Sequence, residues 1–539
     1  MTTLVALASW TALCAVFACP SANATTWVVE TDSALASDRN PGTEARPLKT
    51  LAEAMRRLEA GDEVLVGDGI YREAVVVPKL NPPEKLTTTI RALHAGKAVV
   101  RGSDIAGGWA ALGEGRFATD WRKRPEPAQV YFSGTPLKQI GGTVFGGYPD
   151  VQGHELAAAH RSDGGIWPGR AAGDASTLKP GEFAFDANLQ RLVIRLADGA
   201  APGAQIEVST RPYVFLAENI NGLHLTGLVF EHANTSSLAR QGAVKIFGND
   251  NRISGVTIRL MDSIGLQLFG TRSELLDSSI EDCGQLGLNA RGKNITIARN
   301  RIVRNNSRGF NKWWEAGGIK IVGDPGFHDS IISDNVVAFN RGDGIWIDWM
   351  NTRVQISHNV AAYNAGFGIH YEASQFGRIE GNASYGNTQR GIYALESSDT
   401  LIEGNVVLAN GLEGIVVADG ERSVQYPQLK PRNNRVFANL IGWNKEIELM
   451  LPPAWSATQS DRNTFLAEQA PGAVQGWTAF TNRPARGLAA WRERSQLDAA
   501  SRERVARLPA AIGDILRERR LPDAQALRAL VLPLLAERP

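Results

Sequence analysis

The chain has 539 residues, 43% hydrophobic and 21% charged, which is enough to bury a large core. Lys and Arg number 57 against 56 Asp and Glu, so no global field draws in nucleic acid or an acidic membrane. Cys14 and Cys19 fall in the leader, which leaves Cys283 alone in the mature chain and excludes an intramolecular disulfide or a zinc-type cysteine cluster there.

The chain opens with an apolar run from Leu4 to Phe17, then Pro20 and the small-residue site Ala22-Asn23-Ala24. This reads as a secretory signal over residues 1–24, although no Lys or Arg precedes the run. No later stretch approaches 18 uninterrupted apolar residues, so no membrane span is expected. The Ala- and Arg-rich, Cys-poor composition suits a secreted or periplasmic bacterial protein.

Residues 25–103 read as a cap and the first coils of a longer array. Trp27-Val28-Val29 begins a strand; Leu48, Leu51, Met55 and Leu58 share one helical face; Gly61-Asp62 ends that helix and Val64-Leu65-Val66 follows as a strand. Residues 104–220 break the rhythm with Trp109, Trp121, Trp167, glycine-rich turns and a hairpin-like pair, GEFAFDANLQRLVIRLADG. They form an inserted β-rich subdomain, either a shield or one wall of a substrate groove.

From residue 221 to 470 the chain repeats. Gly318, Gly344, Gly368, Gly391 and Gly414 mark one phrase at spacings of 26, 24, 23 and 23, and Asn335, Asn359, Asn382 and Asn405 keep step. A fixed period in this range marks a solenoid. Apolar residues one and three places after each glycine alternate as in a strand, so each unit is one coil of a parallel β-helix. Between Asn300 and Asn335 the spacing swells to 35, adding the loop RGFNKWWEAGG with Trp313, Trp314 and Glu315. Loops added to one face of a solenoid usually sit where it binds. The asparagines, with Asn340, Asn364, Asn387 and Asn410, read as structural amide ladders. Residues 471–539 turn to Ala, Leu, Arg and Glu; WRERSQLDAASRERVARL and DAQALRALVLPLL read as amphipathic helices that cap or flank the end.

NPGTEARPLKTLAEA followed by GDEVLVGDGIYRE resembles the entry segment of secreted right-handed parallel β-helix proteins of the pectate-lyase-like superfamily, and KWWEAGGIKI, GIWID and GIHYEAS resemble their core coils. The resemblance implies an all-β fold: a right-handed parallel β-helix with N-terminal capping helix, inserted small β domain and C-terminal helical tail. It also implies a glycan-active lyase, hydrolase or epimerase, or a non-catalytic relative. The DPHD motif of alginate C5-epimerases is absent.

The register places chemistry. If the first and third places point inward, the second and fourth point outward. The second places read Lys245, Gln267, Asn289, Lys320, Trp346, His370 and Tyr393; the fourth read Phe247, Phe269, Arg291, Val322, Asp348, Glu372 and Leu395. Asp348 and Glu372 on adjacent coils, about 5 Å apart, suit a retaining glycosidase, and like charges so close should raise one pKa. Lys320 and His370 join them as candidate catalytic residues. Arg291, Trp313, Trp314, Glu315, Asp343, Trp346 and Tyr393 are candidate substrate-binding residues; Asp343 and Arg390, one place before their marker glycines, either reach the groove from the turn or pair with neighbours.

Three readings stay open: a glycoside hydrolase using the carboxylate pair; a uronide lyase with a Lys, Tyr or His base; and a non-catalytic glycan-binding solenoid. No cofactor is required, and Ca²⁺ is the metal such a pair could hold. The expected partner is a polysaccharide or oligosaccharide, and the expected state a monomer. His328 and His358 lie outside the aligned places and receive no role.

Overall fold

The computed structural model describes residues 24–80, 86–122, 124–142, 172–197, 200–235, 241–313, 315–468 and 487–536. Residues 1–23 of the proposed signal segment, Trp167 and Trp314 lie outside them. Three long parallel sheets run side by side along the chain, each coil contributing one strand to each. The coil that starts at Ile331 shows the unit: Ile331–Ser333, Val336–Ala338 and Asp343–Asp348 enter the three sheets in turn. The solenoid read from the repeat is therefore a parallel β-helix.

Two forces hold the coils together. Inward residues stack in register: Ile319, Ile345, Ile369, Ile392 and Ile415 pair coil to coil and are buried. Each such side chain contributes about 2 kcal/mol of hydrophobic stabilisation. The corners are held by asparagine. At one corner a residue in the left-handed region precedes each ladder amide: Asp334 at φ 57° before Asn335, His358 at 57° before Asn359, and Gly381 at 63° before Asn382. A non-glycine residue there costs roughly 1–2 kcal/mol. The amides offset it. Asn359 donates its Nδ2 to the Ile332 carbonyl at 2.8 Å and to Asn382 Oδ1 at 3.0 Å, and its backbone N–H also reaches Asn382 Oδ1 at 2.9 Å. The ladder continues through Asn405 and Asn439 to Asn463, and Asn305 through Asn444 repeat it at the next corner. His358 is thus a corner residue.

The open N-terminal end is closed by a helix at Leu51–Arg57, with Thr50 capping the Glu53 N–H at 3.2 Å and Glu73 accepting from the Leu51 and Ala52 N–H groups. Leu51 and Met55 on the helix, with Leu48 and Leu58 at its flanks, are buried in the main core; the helix is shorter than the spacing indicated and ends at Arg57, before Gly61. The insertion forms two small, mostly antiparallel sheets, including the expected hairpin Glu182–Asp186 with Arg191–Arg195. It docks on the coils through Tyr131, whose ring stacks on His232 at 3.6 Å and whose hydroxyl donates to the Leu260 carbonyl. Arg308, in the loop that carries Trp313, donates to Gln139 of the insertion at 2.6 Å.

The C-terminal segment corrects one expectation. Of WRERSQLDAASRERVARL only 491–495 are helical, as the end of the helix Leu488–Ser495, where Trp491 and Leu488 close the core. Arg502–Val505 is a strand that pairs with Thr464–Ala467. The last coil leaves a sheet edge unpaired, and the backbone hydrogen bonds of that edge outweigh the local helical pattern. Helices Ala510–Glu518 and Ala524–Ala536 lie along the outer face of one sheet, packing Ile512, Ile515, Leu527 and Val531 around Tyr363 and Tyr385.

Candidate active site

The predicted register holds. Lys320 pairs with Trp346, Trp346 with His370, and His370 with Tyr393; Asp348 pairs with Glu372. Their strands, Gly317–Ile321, Asp343–Asp348, Ile369–Glu372 and Ile392–Leu395, are neighbours in one sheet. The side chains stand on its outer face, apart from the main aliphatic core. They are not solvated, however: Lys320 and His370 are each 4% exposed and Trp346 is buried. Stacked rings and a strap of chain cover them.

The strap is the segment after Ala418, which carries Arg422. It was not anticipated from the sequence. Arg422 donates from Nη1 to Asp348 at 3.2 Å, from Nη2 to Glu372, and from Nε to the buried Glu396 at 2.6 Å. Glu396 in turn accepts the Ser423 N–H at 3.0 Å, fixing the strap. One guanidinium fork spans both candidate carboxylates, so they sit side by side. A signal existed: the ladder spacing from Asn405 to Asn439 swells to 34, much as it swells to 35 before Asn335.

Each carboxylate has its own set of partners. Asp348 also accepts from Lys320 Nζ at 2.9 Å, and that ammonium lies 2.8 Å from the Trp346 ring centroid. Burial pushes the Asp348 carboxyl up, but Lys320, Arg422 and His370 outweigh it and hold the group below the usual carboxylate range. Asp348 is therefore held ionised and is not kept protonated by its neighbour. Glu372 accepts from Trp346 Nε1 at 2.7 Å, and its Oε2 lies 3.5 Å from His370 Nε2.

His370 is oriented from behind. Its Nδ1 is 3.0 Å from Asp343 Oδ2, while Asp343 Oδ1 accepts the Phe367 N–H at 2.8 Å. With the Asp343 carboxylate as acceptor, Nδ1 carries the proton and Nε2 is left facing Glu372; that buried Nε2 has no hydrogen-bond partner. The ring is sandwiched between Trp346 at 4.9 Å and Tyr393 at 5.0 Å, with Phe367 edge-on at 4.9 Å.

The other predicted residues fall in three places. Asp343 is buried and orients His370, with both its oxygens occupied. Trp346 forms the wall of the site, not an open platform. Tyr393 is half-buried at the end of the stack, under the Arg390 guanidinium at 4.4 Å; burial foremost pushes its phenol up to about 12. Trp313 is exposed and meets Phe367 edge-on at 5.9 Å, and half-buried Glu315 sits on the same loop. Arg291 stands apart, two coils toward the N-terminal end. Among the described residues no group of three or more His, Cys, Asp or Glu side chains is placed to hold a metal ion. No helix among them is long and apolar enough to cross a membrane.

A family model described as a right handed beta helix region matches residues 242–382 and again 312–445. No curated protein matches the chain by sequence. Among solved structures, the complex of XylC with xylose is similar at 15% identity with a TM-score of 0.55, covering 89% of this chain and 83% of that one. A glycoside hydrolase is similar at 12% identity with a TM-score of 0.52, covering 88% and 99%. At such identities the likeness speaks for the fold, which is a right-handed parallel β-helix resembling those of carbohydrate-active solenoid proteins.

Proposed function

We propose that this β-helix is a carbohydrate-active enzyme that cleaves an extracellular or periplasmic glycan by hydrolysis, with Asp348 and Glu372 as its catalytic pair. The observation that carries the reading is the register pairing of the two carboxylates on adjacent coils, spanned by one arginine. Adjacent strands stand about 4.8 Å apart, which suits the short separation of a retaining glycosidase.

The environments divide the roles. Asp348, held ionised by Lys320 and Arg422, is the nucleophile that attacks the anomeric carbon. Glu372, beside His370 Nε2, delivers a proton to the leaving oxygen and then takes one from the incoming water. Asp343 and His370 act as positioning residues behind Glu372, and exposed Trp313 with half-buried Tyr393 offer ring faces to the sugar. Of the two structures that share the fold, one holds xylose and one is a glycoside hydrolase.

A uronide lyase is the second reading, because the Asp343-oriented His370 is built like a base with a free Nε2. Its burial between two rings keeps a sugar C5 proton out of reach, which favours hydrolysis. The test is turnover of a glycan panel by purified Asp348→Asn and Glu372→Gln proteins. Losses of roughly 1,000-fold or more are expected for each; full activity in either variant removes that residue from the mechanism.

A further inference from the structure

The row that holds Asp348 and Glu372 continues toward the N-terminal end of the solenoid. There it presents Arg291, then Phe269, then Phe247. The two phenylalanine rings are half-buried and stack at 4.6 Å with 5° between their planes. The Arg291 guanidinium continues the stack, its central carbon 4.9 Å from the Phe269 centroid.

The next coil makes room for it. After Ile321 the chain leaves the row and rejoins the sheet at Phe327. Gly323 lies on that detour at φ +106°, and a Cβ there would fall 2.8 Å from Arg291 Cζ. The space that takes the guanidinium therefore depends on a residue with no side chain.

What Arg291 lacks is a partner. Arg390 is tied to Glu413 and Arg422 to three carboxylates. No ion pair or hydrogen bond from a described residue reaches Arg291, and its buried Nε has no acceptor. Asn289, two residues earlier on the same outward face, has a buried Oδ1 that is equally unmatched. A guanidinium held over a ring face keeps its N–H groups as a fork that matches a planar anion. The ring also restricts its rotamers, so less freedom is lost when an anion binds.

We propose that Arg291, with the Phe247–Phe269 platform, is a subsite for an anionic substituent of the glycan, a carboxylate or a sulfate ester. It lies two coils before Asp348, about 10 Å along the solenoid. The proposal names the substrate class of the reading above and rests on it for the presence of a glycan.

Matched probes test it: polygalacturonate against its carboxyl-reduced form, and dextran sulfate against dextran, with full-length protein and its Arg291→Met and Arg291→Lys variants in affinity electrophoresis. The wild type binds the anionic member of at least one pair ten-fold or more tighter than the neutral member. Arg291→Met binds both members alike, and Arg291→Lys, which keeps the charge but not the fork, falls between. The pair that discriminates identifies carboxylate or sulfate. A wild type that discriminates in neither pair, or an Arg291→Met protein that discriminates as well as wild type, overturns the proposal. The catalytic reading fails separately: if Asp348→Asn and Glu372→Gln turn the glycan over normally while Arg291→Met loses discrimination, the subsite stands and the mechanism falls.

Discussion

Arg422→Gln removes the cation on which the site is closed. Four carboxylates meet in this cluster: Asp343, Asp348, Glu372 and Glu396. Their permanent cations are Lys320 and Arg422, so the substitution leaves the cluster with one permanent cation in place of two. Orphaning buried charges typically costs 3–5 kcal/mol. Arg422 is 32% exposed and water can screen its place, so the low end applies, about 3 kcal/mol. Because coils interact mainly with their neighbours, the cost is local. It should appear as amide hydrogen exchange roughly 100-fold faster in strands Asp343–Asp348 and Ile369–Glu372, with distant coils unchanged. The sign with pH follows from Asp348. Its folded pKa is depressed, so its stabilisation is present above the unfolded value near 3.9 and lost as pH falls through the lower folded value. The gap between wild type and Arg422→Gln is therefore widest at neutral pH and narrows in acid. Equal exchange in both proteins, or a gap that does not depend on pH, would refute the assignment of Arg422 as the clamp.

Other predictions address the frame and the groups behind the pair. Asn382→Ala strands the Asn359 N–H and the Ile356 carbonyl in the interior, costing about 3 kcal/mol; chemical denaturation that shows no loss would mean the ladder is dispensable at that rung. With its phenol at about 12, Tyr393 adds no phenolate absorbance below about pH 11 in a wild-type minus Tyr393→Phe difference titration; a signal near pH 9 would make it a candidate base and revive the lyase reading. Asp343→Asn removes the carboxylate that fixes His370 Nδ1–H and is expected to cost roughly 100-fold in kcat/KM with a displaced pH profile. An unchanged profile would leave Asp343 with a packing role only.

Much of this molecule was legible because a solenoid turns sequence spacing directly into spatial adjacency. The marker glycines and alternating places indicate the pairing of Lys320, Trp346, His370 and Tyr393, and the amide ladders follow from the same period. What spacing could not give was depth. Outward places look polar and free in a repeat, yet Lys320 and His370 are covered, because the rings of neighbouring coils stack on them and a strap outside the period closes over the row. Arg422 was missed for the same reason: it sits in an insertion, where periodicity carries no information about direction. Its presence also reversed the electrostatic argument for Asp348. Two bare carboxylates repel and one protonates; two carboxylates shared by a guanidinium and an ammonium need not. Arg502–Val505 shows the opposite failure, a helical pattern overridden by an unpaired sheet edge.

The central claim is that water, not elimination, breaks the bond at Asp348 and Glu372. Digestion of a glycan panel in H₂¹⁸O, read by mass spectrometry, tests it most directly. New reducing ends carrying one ¹⁸O are expected from the wild type, and none from Asp348→Asn or Glu372→Gln. An unsaturated product without ¹⁸O, or polymers of unchanged length throughout the panel, would contradict it.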